Sequence, residues 1–188
     1  MKKFFCLFIF FLVAININAQ QDLVLSPESK ISIEGSSTLH DWTATVNDFE
    51  GSCTSATELE NSIQKGKALS DIKLSFTGAT IDGGRGPAMN GKIKKALKVE
   101  DHPQITFNAE EAAITDVGGQ GFTIKATGIL NIAGVDQTVE IKLEGKRDKD
   151  GILHFSGSKA LKMSDFNITP PSAMFGQIET KDDIVVKF

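Results

Sequence analysis

Residues 122–132 alternate in character: Phe122, Ile124, Ala126, Gly128, Leu130 and Ile132 share one parity, and Thr123, Lys125, Thr127 and Asn131 share the other. Successive side chains of a strand point to opposite faces, so this period of two specifies a half-buried β-strand rather than an amphipathic helix. The pattern returns elsewhere. Ile72, Leu74 and Phe76 alternate with Lys73, Ser75 and Thr77, and Ile105, Phe107 and Ala109 with Thr106, Asn108 and Glu110. Val139, Ile141 and Leu143 oppose Glu140, Lys142 and Glu144, while Leu153, Phe155, Leu161 and Met163 follow the rule more loosely. Ile184, Val186 and Phe188 close the chain in the same way. Further strands are expected near 30–35, 38–48 and 52–59, giving about eight to nine in one domain. Their links carry turn residues: Gly118-Gly119-Gln120-Gly121, Gly134-Val135-Asp136 and Asp148-Lys149-Asp150-Gly151. Short links make neighbouring strands antiparallel. A barrel or sandwich is the expected result, and closure would also remove exposed edges.

One segment departs from this period. Met89, Ile93, Ala96 and Leu97 recur at helical spacing between Pro87 and Lys98, with lysines at 92, 94, 95 and 98. Pro87 suits a first helical position, and the late lysines suit the negative end of the helix dipole. A short helix packed over one end of the barrel is expected. At the start of the chain, Met1-Lys2-Lys3, the apolar run from Phe4 to Ile15 and the small residue Ala19 describe a secretory signal peptide. The run falls short of the about 20 apolar residues that span a membrane. Cleavage after Ala19 leaves a mature domain of residues 20–188, placed in the periplasm or secreted. Loss of Lys2 and Lys3 takes the formal net charge from -4 to -6, which disfavours nucleic acid as a partner. Cys53 is then the one cysteine left, so no internal disulfide can form, and it reads as a quiet strand residue.

On the expected strand 38–48, Trp42, Ala44 and Val46 mark the buried face, so Thr38 and His40 should also point inward beside the only Trp. Eight strands enclose a space that side chains just fill, or that holds one small ligand. Ala109, Ala126 and Gly128 interrupt bulky inward rows, which suits either a hollow interior or strand curvature around a filled one. Alternation alone does not choose between the two. A hollow interior would be lined by Trp42, Ala44, Leu74, Phe76, Ile105, Phe107, Phe122, Ile124 and Ala126. A hydrocarbon gains roughly 0.8 kcal/mol per buried methylene, so a long chain needs few polar contacts. His40, Asp41, Arg85 and Asn90 are candidates for holding a head group at the mouth, although Arg85 in its glycine-rich run is equally an ordinary loop charge.

Catalytic signatures are weak. His40, His102 and His154 lie far apart and fit no metal-ligand spacing, and one mature cysteine makes a structural zinc site improbable. Ser36, Ser37, His40 and Asp41 hold the residue types of a triad, but neighbours on one strand diverge in direction and no nucleophile elbow is present. Gly83-Gly84-Arg85-Gly86 lacks the Lys-Ser/Thr of a phosphate loop. No catalytic residue, metal or cofactor is therefore expected.

Several segments, in order, resemble the YceI-like family of periplasmic, lipocalin-like proteins. They are Ile33-Glu34-Gly35-Ser36-Ser37-Thr38-Leu39-His40-Asp41-Trp42 with Phe49-Glu50-Gly51, and Ala96-Leu97-Lys98 leading to His102-Pro103-Gln104-Ile105-Thr106-Phe107. Ala126 to Val135, Met163 to Ile168 and Asp183-Ile184-Val185-Val186 complete the likeness over nearly all of the mature chain. The resemblance implies an all-β, antiparallel eight-stranded barrel with one short helix, holding a polyisoprenoid or similar amphiphilic lipid in a long internal pocket lined by the row that includes His40 and Trp42. It breaks at Pro87-Ala88-Met89-Asn90-Gly91, where many members carry an Arg-Asp-x-His-Leu-like stretch, and the chain contains no Tyr. Head-group contacts made by such residues are not carried over. Two rival readings remain at this stage: an eight-stranded outer-membrane barrel, and a lipid-modifying enzyme using His40 as acid or base. One Trp and no Tyr ill suit the aromatic girdles of the first.

Overall fold

The computed structural model describes residues 21–55, 63–119 and 121–188. The signal peptide expected over 1–19, the end of the strand expected over 52–59, and Gln120 lie outside the described residues. The strands are β1 (Gln21–Val24), β2 (Ile31–Ser37), β3 (Asp41–Val46), β4 (Phe49–Ser55), β5 (Gly66–Thr77), β6 (Ile81–Asp82) and β7 (Gln104–Gly118). They continue with β8 (Gly121–Ile132), β9 (Val135–Arg147), β10 (Leu153–Lys162), β11 (Ser172–Ala173) and β12 (Ile178–Lys187), and among the described residues one α-helix, α1 (Pro87–Ala96), follows β6.

Hydrogen-bonded order runs β1-β4-β5-β7-β8-β9-β10-β12-β2-β3-β6, with β11 paired to β12, and every pairing is antiparallel. The twelve strands among the described residues exceed the expected eight for a physical reason. β3 and β4 are one strand broken at Asn47–Asp48: β3 pairs with β2 and β6, and β4 with β1 and β5. β1 and β2 likewise form one strand interrupted at 25–30, and β5 and β6 one strand interrupted by a 3-10 turn at Gly78–Thr80. Joined in this way, the twelve reduce to eight strands around a closed circuit, plus the short β11. The breaks are stitched together, since Asn47 Nδ2 donates to the Thr80 carbonyl (3.0 Å) and the Thr77 N–H to the Asp48 carbonyl (3.0 Å).

The expected strand 38–48 is also cut at its start. Ser37 Oγ donates to the His40 carbonyl (2.8 Å) and accepts from the His40 N–H (3.2 Å), closing a turn between β2 and β3. Short hydroxyl side chains favour such local bonds over a ladder. The β8–β9 hairpin turns on Ala133 and Gly134, both at positive φ (53° and 80°), the requirement of a two-residue type I′ loop.

Within the barrel, β5, β7 and β8 carry a close-packed core. Leu69, Ile72, Phe107, Ala109, Ile114, Phe122, Ile124 and Leu130 are buried there. Phe166, in a 3-10 turn after β10, is 2% exposed and joins the same core with Met163 and Ile168. A second cluster of Ile31, Ala44, Val46 and Ile81 takes Ile93 and Leu97 of α1 against it. Pro87 opens the helix as expected, and Met89, Ile93, Ala96 and Leu97 form its half-buried face.

Candidate functional site: the inner face of the barrel

Burial is uneven over the inner face. On β8 every inward residue is buried except Ala126, which is half-exposed. On the other strands half-exposed inward residues (Ile141 and Leu143 of β9, Phe155 and Leu161 of β10, Ile184 and Val186 of β12, Ile33 of β2 and Trp42 of β3) stand among buried ones, Val139 and Gly145 of β9, Ile31 of β2 and Ala44 and Val46 of β3. The ladders make these positions contiguous, through Ala126↔Ile141, Leu161↔Ile184, Val186↔Ile33 and Gly35↔Trp42. These residues form an apolar inner surface that packs in part against the two buried clusters.

Large rings lie along the wall instead of reaching across. Trp42 rests against Gly35, where a Cβ would overlap its ring, and its Nε1–H donates to the Ser36 carbonyl (3.2 Å). Phe122 covers Gly145 in the same manner and meets Phe155 edge-on at 5.9 Å. Each glycine takes the side of a ring.

The residues expected to line the interior divide accordingly. Ala44, Phe107, Phe122 and Ile124 are buried in packed clusters, while Trp42, Leu74, Phe76, Ile105 and Ala126 face inward and remain half-exposed. His40 is not mid-strand; it lies in the β2–β3 turn, where its Nε2 meets Arg85 Nη1 at 2.7 Å. A guanidinium only donates, so Nε2 accepts and the ring proton sits on Nδ1, 3.0 Å from the Asp41 carbonyl. The structure thus brings together His40 and Arg85, two of the four mouth candidates. Asn90 is engaged in bracing: its Oδ1 accepts from the Gly83 N–H (2.9 Å) and its Nδ2 donates to Asp82 (3.1 Å). Asp41 is exposed. Asp82 is held below the usual carboxylate range by the Gly84 N–H and then by Asn90. Cys53 packs against the core, and burial pushes its thiol up, as a quiet thiol requires.

Sequence reasoning passed over Lys159. It shares the inward parity of Leu153, Phe155 and Leu161, and it pairs with inward Val186. The signal was available in that alternation. The chain also leaves a recess in its wall. Where the 25–30 interruption lies beside the Asn47–Asp48 break, a cleft of about 1310 Å³ is bordered by inward residues such as Ile31, Phe49 and Leu74 and by outward ones such as Glu50 and Lys73.

A family model for the YceI-like domain matches residues 24–188. The chain belongs to the YceI-like family. Solved structures share the YceI-like barrel at low identity. BcnA of Burkholderia cenocepacia is 20% identical, with 85% of this chain and 92% of that chain covered and a TM-score of 0.64. A polyisoprenoid binding domain from Saccharophagus degradans, implicated in plant cell wall breakdown, is 13% identical over 89% of this chain and 94% of that one, also at 0.64. The YCEI protein of Campylobacter jejuni is 18% identical over 77% and 80%, at 0.55. No curated protein matches the sequence.

Proposed function

We propose that this YceI-like protein binds a lipophilic chain (polyisoprenoid, quinone or fatty-acid-like) inside its barrel, to store or transport it within the cell envelope without altering it. The half-exposed apolar inward residues between Ala126 and Trp42 carry this reading. A hydrocarbon laid along them would bury apolar area on both partners at roughly 25 cal/mol per Å². The polyisoprenoid-binding name of the Saccharophagus degradans domain supports the same class of ligand. Export through the leader over 1–19 belongs to this reading and puts the protein beside envelope lipids.

The rival outer-membrane barrel is disfavoured by the outer face of the strands. Glu140, Lys142, Glu144 and Lys146 of β9 all face outward and are exposed, where a membrane barrel presents an apolar band. The rival enzyme is disfavoured at His40, whose two ring nitrogens are occupied by Arg85 and the Asp41 carbonyl.

Native mass spectrometry of the protein isolated from its own envelope, followed by organic extraction, tests the reading. A stoichiometric long-chain lipid is expected. Ala126→Phe should fill the space beside Ile141 and abolish that retention while the barrel still folds. A folded protein that stays empty when offered isoprenoids, quinones and fatty acids would overturn it.

A further inference from the structure

Along β10 the usual distribution of polar and apolar residues is inverted at one place. The outward positions Ser156, Ser158 and Ala160 are small and uncharged, while the inward position between them holds Lys159. Its direction is fixed on both sides. Gly157, two residues before, sits against Leu143 Cδ2 and Phe188 Cε2, and Leu161, two residues after, pairs with Ile184. Lys159 itself pairs with Val186, which pairs with Ile33. The inner positions nearest it are Ile141 and Leu143 of β9 and Ile184 and Val186 of β12, with Phe188 just past the end of β12, while Asp182, of the same parity further along β12, is engaged by Ser164. Among the described residues Lys159 has no ion pair or side-chain hydrogen bond, unlike Lys162 on the outside of the same strand, which holds Asp183 at 2.7 Å.

A half-buried ammonium with apolar neighbours gives up part of its hydration, and an anion restores what is lost. Beside it the ladder to β9 stops, and further along the 3-10 turn Met163–Phe166 reaches β9 through Gln137 and Asp165. The β9–β10 ladder ends at Gly157↔Leu143, and from Ser158 onward β10 pairs with β12. In this reading the head group lies next to Lys159 and its chain follows the apolar inner surface toward Ala126 and Trp42.

We propose that Lys159 anchors the head group, and that the ligand is an amphiphile ending in an anionic oxygen group, a carboxylate or a phosphate ester. This rests on the reading of the barrel as a chain-binding site. The lipid-stripped protein would be titrated calorimetrically with two matched pairs, palmitate against hexadecanol and farnesyl phosphate against farnesol, delivered on cyclodextrin. In at least one pair the anion should bind tighter than its alcohol by about 10-fold, the value of one charge-assisted hydrogen bond. Lys159→Met should erase that preference while leaving the alcohol affinity unchanged, and Lys159→Arg should retain it. Preference for palmitate alone identifies a carboxylate, and preference for farnesyl phosphate alone identifies a phosphate ester. Alcohols that bind as tightly as both anions, or a preference that survives in Lys159→Met, would overturn the anchor and leave chain binding standing. Failure of all four probes would overturn chain binding, and the anchor with it. If Lys159→Met does not fold, the parent's anion-to-alcohol ratio and the Lys159→Arg variant decide.

Discussion

Gly35 takes the flat of the Trp42 ring, so its lack of a side chain is a packing requirement rather than a conformational one. Gly35→Val should drive the indole toward the axis and cost about 1–3 kcal/mol as overpacking, read from the urea midpoint, with reduced lipid uptake alongside. Phe166 tests the opposite case. It is 2% exposed, and Phe166→Ala should cost about 3–5 kcal/mol by opening a cavity that its neighbours cannot fill. At this scale the sequence was legible wherever parity governed, as at Phe122, Ile124, Phe107 and Leu74. At His40 the expected strand gives way to a turn closed by the Ser37 hydroxyl, one residue before β3 begins. The Ser36-Ser37-Thr38 run was the available warning.

Elements here are held at their ends by single carboxylates. Asp182 accepts from the Ser164 N–H (2.8 Å) and hydroxyl (2.6 Å), fixing the 3-10 turn that buries Phe166. The Ser164 hydroxyl, then its N–H, keep the Asp182 carboxyl below its ordinary value, while Asp148 is lowered chiefly by the hydrogen bond from His154. A lowered folded-state value means that the contribution is complete above the unfolded value of about 3.9 and is lost as pH falls through the folded one. Urea midpoints should therefore fall with acidification below about pH 4. Asp182→Asn should start lower at pH 7 and fall less steeply, so that the two curves converge in acid. The helix and the long strands could be read in advance from periodicity. The divisions of β1/β2, β3/β4 and β5/β6 could not, since each break is decided by what lies across the ladder.

For the molecule as a whole, the circuit of strands is uneven. β7, β8 and β9 pair along most of their length, whereas β9 and β10 separate beyond Leu143↔Gly157. Amide hydrogen exchange should be slowest in β8, which has a full-length partner on either side. It should be faster in β10, and bound lipid should slow exchange in β9 and β10 more than in β7. Equal slowing everywhere would mean that the ligand does not sit against β9 and β10. The barrel and its helix were legible because alternation and turn chemistry agree over most of the chain. The division of the interior was not, because parity tells which way a side chain points and not how far the opposite wall stands away.

The flat-lying Trp42 has one more consequence. The chain has a single Trp and no Tyr, so its near-ultraviolet emission comes from one indole, and that indole borders the proposed lipid path. Its N–H is tethered to the Ser36 carbonyl, so the ring cannot turn away when its surroundings change. The protein thus carries its own optical gauge: an occupied barrel should emit further to the blue than an empty one, with no second fluorophore to obscure the difference.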